Sequence, residues 1–438
     1  MSWVLDAIYL LAALALLPYW LWKLPQAERY RAGILQRLGG APPGDPDRPR
    51  LWVHCASVGE ASIPRRLVAR FRRRHPKWDI VFSTNTNTGA QRLRELCDDC
   101  TVFYMPLDLS FCVRRAMRRV APSALVLVEL EVWPNLLEVC RQSGIPVAIV
   151  SGRINAGSAR RLHTLHRLWP PLWDALRLCC ARSEREAERF RRAGIAPERV
   201  ITCGSLKYDN LKTEPDADKL AAIEEAFGLD EEAPVLVAGS THRGEETILA
   251  AAYRDLKIRH RRLRLIIAPR HVERARQVQA ALEARGFEVA RRTELDGARR
   301  PGSEAVLLLD TIGELVACYA LATCVFVGRS LLAPGGGQNV IEPAALGKPI
   351  LTGPHTGNFR PEMQLLLEGD AAIVVRDRAD IVREVDRLLS RPGQAARLGS
   401  AARSVVLQSR GATERTLRRL EAVLECQGPL SEWSDLNC

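Results

Sequence analysis

Leu51-Trp52-Val53-His54-Cys55-Ala56-Ser57-Val58-Gly59-Glu60 is an apolar run that gives way to small residues and then opens a helix. Strand, loop and helix in that order are the repeating unit of a parallel sheet covered by helices, and the unit recurs down the chain. Further strand runs follow at Asp79 to Ser83, Thr101 to Met105, Ala124 to Glu129, Pro146 to Ser151, Leu176 to Ala181 and Arg199 to Cys203. Between them lie amphipathic stretches, such as the one that sets Arg114, Arg115, Arg118 and Arg119 against Val113, Ala116, Met117 and Val120. A second series runs through Pro234 to Gly239, Leu263 to Ala268, Ala305 to Asp310, Thr323 to Val327, Pro349 to Thr352 and Ala371 to Val375. A chain of 438 residues is too long for one ordinary core. The expected fold is α/β, two Rossmann-like doubly wound domains in tandem, with ligands at the carboxyl ends of strands in the crevice between them.

The expected boundaries are an anchor segment over 1–24, a first domain over 25–210, a polar connection over 211–233, a second domain over 234–400, and a helix over 401–425 crossing back onto the first domain. The anchor reading rests on Ala7 to Trp22, apolar throughout, which ends in Tyr19, Trp20 and Trp22 and is followed by Lys23, Arg29, Arg31 and Arg37. That order fits a segment entering a bilayer with its downstream side in the cytoplasm. Sixteen residues fall short of the roughly 20 needed to span comfortably, and Pro18 interrupts them, so insertion, interfacial attachment and a buried helix stay open. No Lys or Arg precedes the run, which argues against a cleaved signal peptide.

The formal charge of +12 is unevenly placed: residues 1–210 hold 32 basic and 19 acidic side chains, residues 211–438 hold 31 and 32. A basic half suits nucleic acid, an anionic membrane or a phosphorylated lipid. The sequence carries no zinc-finger, helix-turn-helix or RRM signature, and its apolar start favours the membrane. The 12 cysteines are scattered, many in apolar runs, and read as buried reduced thiols. Cys97 and Cys100 form a CxxC without a second pair or His doublet at metal-ligand spacing.

Chemistry gathers where strands end. Glu60 falls in a first helical turn behind Gly59, which lets the backbone turn; a first-turn Glu is also what the helix dipole favours. In Val128-Glu129-Leu130-Glu131-Val132-Trp133-Pro134-Asn135, alternation puts two acids on one side of a buried strand, where at least one needs a partner. Gly204-Ser205-Leu206-Lys207-Tyr208-Asp209 offers Lys207 as a fixed cation or a solvated one. In the second half, Gly239 to Glu246, Ala268 to His271 and Asp310 to Glu314 are anion-friendly strand ends. A fourth, Gly335 to Ala344, has three glycines that admit close approach and Glu342 one turn into a helix. Together they point to a nucleotide site, although GxxxxGK[ST] is absent.

Taken in order behind an apolar start, HCASVGE (54–60), ELEVWPN (129–135), GSLKYD (204–209), GSTHRGEE (239–246), PRH (269–271), DTIGEL (310–315) and GGGQNVIEPAALGKP (335–349) resemble the 3-deoxy-D-manno-octulosonic acid (Kdo) transferases, glycosyltransferases of the GT-B fold. The resemblance covers the chain from its start to about Arg410. It implies inverting transfer of Kdo from CMP-Kdo to a phosphorylated lipid A precursor at the cytoplasmic face of the inner membrane. Membrane lipids are implied as partners, and neither a metal nor another cofactor is. Asp216-Ala217-Asp218 matches DxD by letter only.

By motif, the resemblance makes Glu60 the general base and Glu129 and Lys207 transition-state stabilisers. Pro269, Arg270, Ile312, Gly313, Glu314, Asn339, Val340, Ile341 and Glu342 match CMP-contacting positions, with Val340 and Ile312 contributing through backbone. Arg65, Arg66 and Arg70, in a basic stretch behind Glu60, are the acceptor-lipid candidates. Arg329, in place of an expected glycine, and Gln338, in place of a common His, depart from the family pattern near the donor site. The rival readings are a GT-B enzyme with another donor such as a UDP-sugar, and an inactive lipid-binding membrane scaffold.

Overall fold

A computed structural model describes residues 2–15, 33–97, 99–230, 232–295, 302 and 304–425. The first sheet comprises β1 (Arg50–His54), β2 (Asp79–Thr84), β3 (Thr101–Tyr104), β4 (Ala124–Val128), β5 (Val147–Gly152), β6 (Leu176–Ala181) and β7 (Val200–Thr202). All pair in parallel, in the order β3-β2-β1-β4-β5-β6-β7. Both faces are covered, as parallel sheets require: along β1, Trp52 enters one apolar cluster with Leu125 and Ile149, while Leu51 and Val53 enter another with Val126 and Val150. The winding reverses between β1 and β4, so the loops leaving these two strands diverge and leave a gap at their carboxyl ends.

The second sheet repeats the plan with β8 (Val235–Thr241), β9 (Arg264–Pro269), β10 (Val289–Arg291), β11 (Val306–Leu308), β12 (Cys324–Val327), β13 (Ile350–Thr352) and β14 (Ile373–Val374). Its order is β10-β11-β9-β8-β12-β13-β14, again parallel, with the reversal between β8 and β12. The sequence reading omitted β10, a three-residue edge strand of intermediate exposure that lacks an apolar run.

The described chain forms two units, one reaching Asn210 and resuming at Arg410, the other Leu211–Ser409. Two boundaries are thereby corrected. The expected connection over 211–233 belongs to the second unit, because its helix Ala217–Phe227 buries Ile223, Ala226 and Phe227 and Lys219 Nζ donates to Gly313 O at 3.1 Å. The expected helix over 401–425 is two helices, Pro392–Gln408 and Ala412–Glu425, of which only the second joins the first unit. Gly411, at φ +89, makes the break, and its N–H donates to Asp209 Oδ1 at 2.7 Å.

The chain start is helical over Ser2–Ala15 and docks on the first unit through Asp6, which accepts from Ser110 N (2.8 Å) and Asn135 Nδ2 (3.0 Å). Ile8, Leu10, Leu11 and Leu14 on this helix are exposed. Among the described residues no helix is long and apolar enough to cross a membrane; the aromatic and basic end of the anchor reading, residues 16–32, lies outside them. The reading of reduced thiols is corrected at one pair: Cys97 and Cys100, with Cα atoms 5.4 Å apart, form a disulfide. The other described cysteines are free and buried.

Candidate active site

In the first unit the candidate groups stand at the ends of β1, β4, β6 and β7. Beyond β1, Ser57 precedes the short helix Val58–Ala61, and Glu60 folds back over the loop. Its Oε2 accepts from Ala56 N (2.9 Å) and its Oε1 from Ser57 Oγ (3.1 Å). Burial pushes the Glu60 pKa up and the Glu131 and Glu129 carboxylates add to the rise, opposed by the two hydrogen bonds. Gly59 does not serve a tight turn: it has no positive φ, and a Cβ there would meet only Ser57 Oγ at 3.8 Å.

β4 stops at Val128, and Glu129 turns at φ +63, so backbone reversal rather than strand alternation aims its side chain. Glu129 Oε1 pairs with Arg182 Nη2 and, at 3.3 Å, with Lys207 Nζ. Burial works to raise its pKa, but Arg182, Lys207 and Arg153 outweigh it and hold the carboxyl below its ordinary value. Glu131 Oε2 accepts from Trp133 Nε1 (3.0 Å) and lies 3.6 Å from Nε2 of fully buried His54, whose Nδ1 meets Ser83 Oγ at 2.9 Å. The structure thus brings Glu60, Glu129 and Lys207 to one region, with Arg182 as a member that sequence reading missed. A lone arginine after β6 carries no signal of its own in a half with 32 basic residues.

In the second unit Pro269 ends β9, and Arg270 N–H donates to Thr241 O at the end of β8 (3.0 Å). Its side chain is exposed and acts electrostatically on Glu342. Burial raises the Glu342 pKa against the hydrogen bond from Asn339 and the charge of Arg270. Ile312 is exposed, Gly313 adopts φ +90, and Glu314 is held by Thr311 Oγ1 and by Arg292 Nη2 at 3.4 Å. Val340 and Ile341 are buried, so only their backbone is open to a ligand, and Ile341 N–H already donates to Asn339 Oδ1 at 3.2 Å. Gly335, Gly336 and Gly337 all have positive φ, and a Cβ at Gly335 or Gly336 would clash with His355 Cβ or, at 2.6 Å, with Asn358 Nδ2, so the loop itself requires glycine; the helix behind them is five residues, Ile341–Ala345, too short for much dipole.

Glu245, quoted within GSTHRGEE without a role of its own, holds this end together. Almost fully buried, it accepts from His242 N (2.8 Å), Arg329 N (2.7 Å), Ser330 N (2.9 Å) and Leu331 N (3.0 Å), tying the β8 loop to the β12 loop. Arg329 takes φ +57, a conformation that explains the expectation of glycine there. Of the acceptor candidates, Arg65 and Arg66 are exposed on the helix Arg65–Arg74, whereas Arg70 is committed to Glu414 at 2.7 Å.

A family model described as 3-deoxy-D-manno-octulosonic-acid transferase (kdotransferase) matches residues 32–210. The 3-deoxy-D-manno-octulosonic acid transferase of Haemophilus influenzae is 32% identical over 91% of this chain and 93% of its own. That of Bordetella pertussis is 33% identical over 94% and 98%. Among solved structures, the UDP-GlcNAc 2-epimerase of Neisseria meningitidis aligns with TM-score 0.59 over 86% of this chain and all of its own, at 12% identity, a likeness of fold alone. Identity at this level over nearly the whole length, with the motifs at strand ends, means that the chain belongs to the 3-deoxy-D-manno-octulosonic acid transferase family of glycosyltransferases.

Proposed function

We propose that this protein transfers Kdo from CMP-Kdo to a phosphorylated lipid A precursor, with inversion at the anomeric carbon, at the cytoplasmic face of the inner membrane. The observation that carries the reading is the family likeness over nearly the whole chain, with Glu60 held by Ala56 N and Ser57 Oγ near the Glu129–Lys207 pair. Burial raises the Glu60 pKa and cations lower that of Glu129, in keeping with a base and a charged stabiliser. Glu60 takes the proton of the acceptor hydroxyl as its oxygen forms the bond to the anomeric carbon, and CMP leaves with the electron pair of the broken C–O bond. Lys207, beside Glu129, offsets negative charge on the reacting sugar or the departing phosphate. The second unit holds CMP, with Arg270 toward phosphate and Glu342 toward ribose hydroxyls. Pro269, residues 312–314 and the backbone of residues 339–341 complete that contact. On this reading the cations Lys207 and Arg270, rather than a metal, offset the charge of the leaving group.

The membrane reading is supported by the exposed apolar side chains of the first helix, by the basic first half and by the exposure of Arg65 and Arg66, which would meet the lipid phosphates. The test is incubation of purified protein with CMP-Kdo and a tetraacylated lipid A precursor, with mass spectrometry counting added sugars. Glu60→Gln is expected to lower transfer about 10²- to 10⁴-fold while CMP binding, followed by calorimetry, is kept. Absence of any product from the unaltered protein, or binding of UDP in place of CMP, sinks the reading.

A further inference from the structure

Arg153 stands one residue past β5 (Val147–Gly152), exposed, and its guanidinium has no hydrogen-bond or ion-pair partner among the described residues. β5 lies between β4 and β6, so Arg153 emerges between two groups of the site already described. On one side Glu129 N–H donates to Val150 O at 3.0 Å; on the other Arg182 N–H donates to Gly152 O at 3.1 Å. The neighbouring cations are occupied. Arg182 Nε donates to Ser151 O and Oγ at 3.0 and 3.1 Å while its Nη2 holds Glu129, and Arg189 Nη1 donates to Ile154 O at 3.0 Å. Lys207 also pairs with Glu129. Arg153, Arg182 and Lys207 act on Glu129, and Arg153, Arg182 and Arg189 on Glu186, while Glu60 and Glu131 stand on the β1 and β4 side.

We propose that Arg153 is the open end of an oxyanion subsite at the carboxyl ends of β5 and β6, taking a carboxylate or a phosphate monoester carried by a substrate. Its planar fork suits bidentate binding of either group, and Glu129 is already held by Arg182 and Lys207. The inference rests on the Kdo-transfer reading for its two sources: the acidic sugar supplies a carboxylate, the lipid acceptor a phosphate.

The experiment titrates the full chain and its Arg153→Gln variant with free Kdo and, separately, with glucosamine 1-phosphate, by calorimetry or saturation-transfer NMR. Binding weakened about tenfold for Kdo alone assigns the carboxylate, and the same loss for the sugar phosphate alone assigns the phosphate. Arg153→Lys keeps the charge without the fork and is expected to fall between the two; it is read instead if Arg153→Gln does not fold. An unaltered chain that binds neither probe, or variants that bind both as tightly as it does, overturns the subsite. Failure of the unaltered chain to use CMP-Kdo sinks the functional reading separately, since the titrations need no turnover.

Discussion

At the scale of single residues, the proposed chemistry depends on how one carboxyl is kept basic beside two others. Glu60 lies within reach of Glu131, whose negative charge disfavours ionisation of Glu60. Replacing Glu131 by Gln removes that charge, so the Glu60 pKa falls and the acidic limb of kcat/KM against pH is expected to move to lower pH. An unmoved limb would show that Glu60 titrates independently of Glu131, or is not the group seen. The residues legible in sequence were those in dense motifs: Glu60, Glu129, Lys207, Arg270 and Glu342 all reach the strand ends they were assigned. Arg182 and the role of Glu245 were not legible, because what marks them is a partner distant in sequence, and Arg153 was not legible because only the sheet order sets it between Glu129 and Arg182. Glu245 in particular sits in a first turn where any Glu is favoured, and only the fold reveals the N–H groups of residues 329–331 that it receives.

Elements in this protein are joined by a few such buried acids and by apolar faces, and the two kinds of joint should fail differently. Glu245 at the start of the helix Glu245–Lys257 satisfies four backbone donors from two loops. Glu245→Ala strands them in a buried place, so a loss of about 3 kcal/mol or more is expected in urea unfolding, with Glu245→Gln less damaging because its amide oxygen still accepts. By contrast, the helix Ala412–Glu425 meets Arg70, Arg74 and His75 through Glu414 and Glu421 at its surface, and buries Leu417 and Leu420 against the sheet. Leu420→Ala is expected to cost about 2–5 kcal/mol and Glu414→Ala at most about 1 kcal/mol, since exposed ion pairs are screened. Equal costs in denaturant titrations would refute this division. Most elements were legible because both faces of each sheet are buried, which writes strands as unbroken apolar runs. β10 was hidden for the opposite reason, and the break at Ser409-Arg410-Gly411 was hidden because apolar residues continue on both sides of it.

For the whole molecule, the decisive feature is that the first unit is discontinuous: its fold needs residues from beyond the second unit. Leu178 and Cys180 of β6, and Leu206 past β7, share an apolar cluster with Ala412, Leu417, Leu420 and Val423. Asp209 adds two polar clamps, accepting from Gly411 N (2.7 Å) and Thr413 N (2.5 Å). A chain stopped at residue 210 leaves one face of β6 and β7 open to water and the Asp209 carboxylate without its donors. The second unit, Leu211–Ser409, contains every strand of its own sheet, and the returning helix is assigned to the first unit. A fragment of residues 211–409 is therefore expected to melt cooperatively by circular dichroism, whereas residues 1–210 alone show no cooperative transition. Adding a peptide of residues 410–425 should restore one, in proportion to peptide concentration, because it supplies the missing apolar face by mass action. Cooperative melting of residues 1–210 without the peptide would show that the first sheet is self-sufficient and that the returning helix is only appended to it.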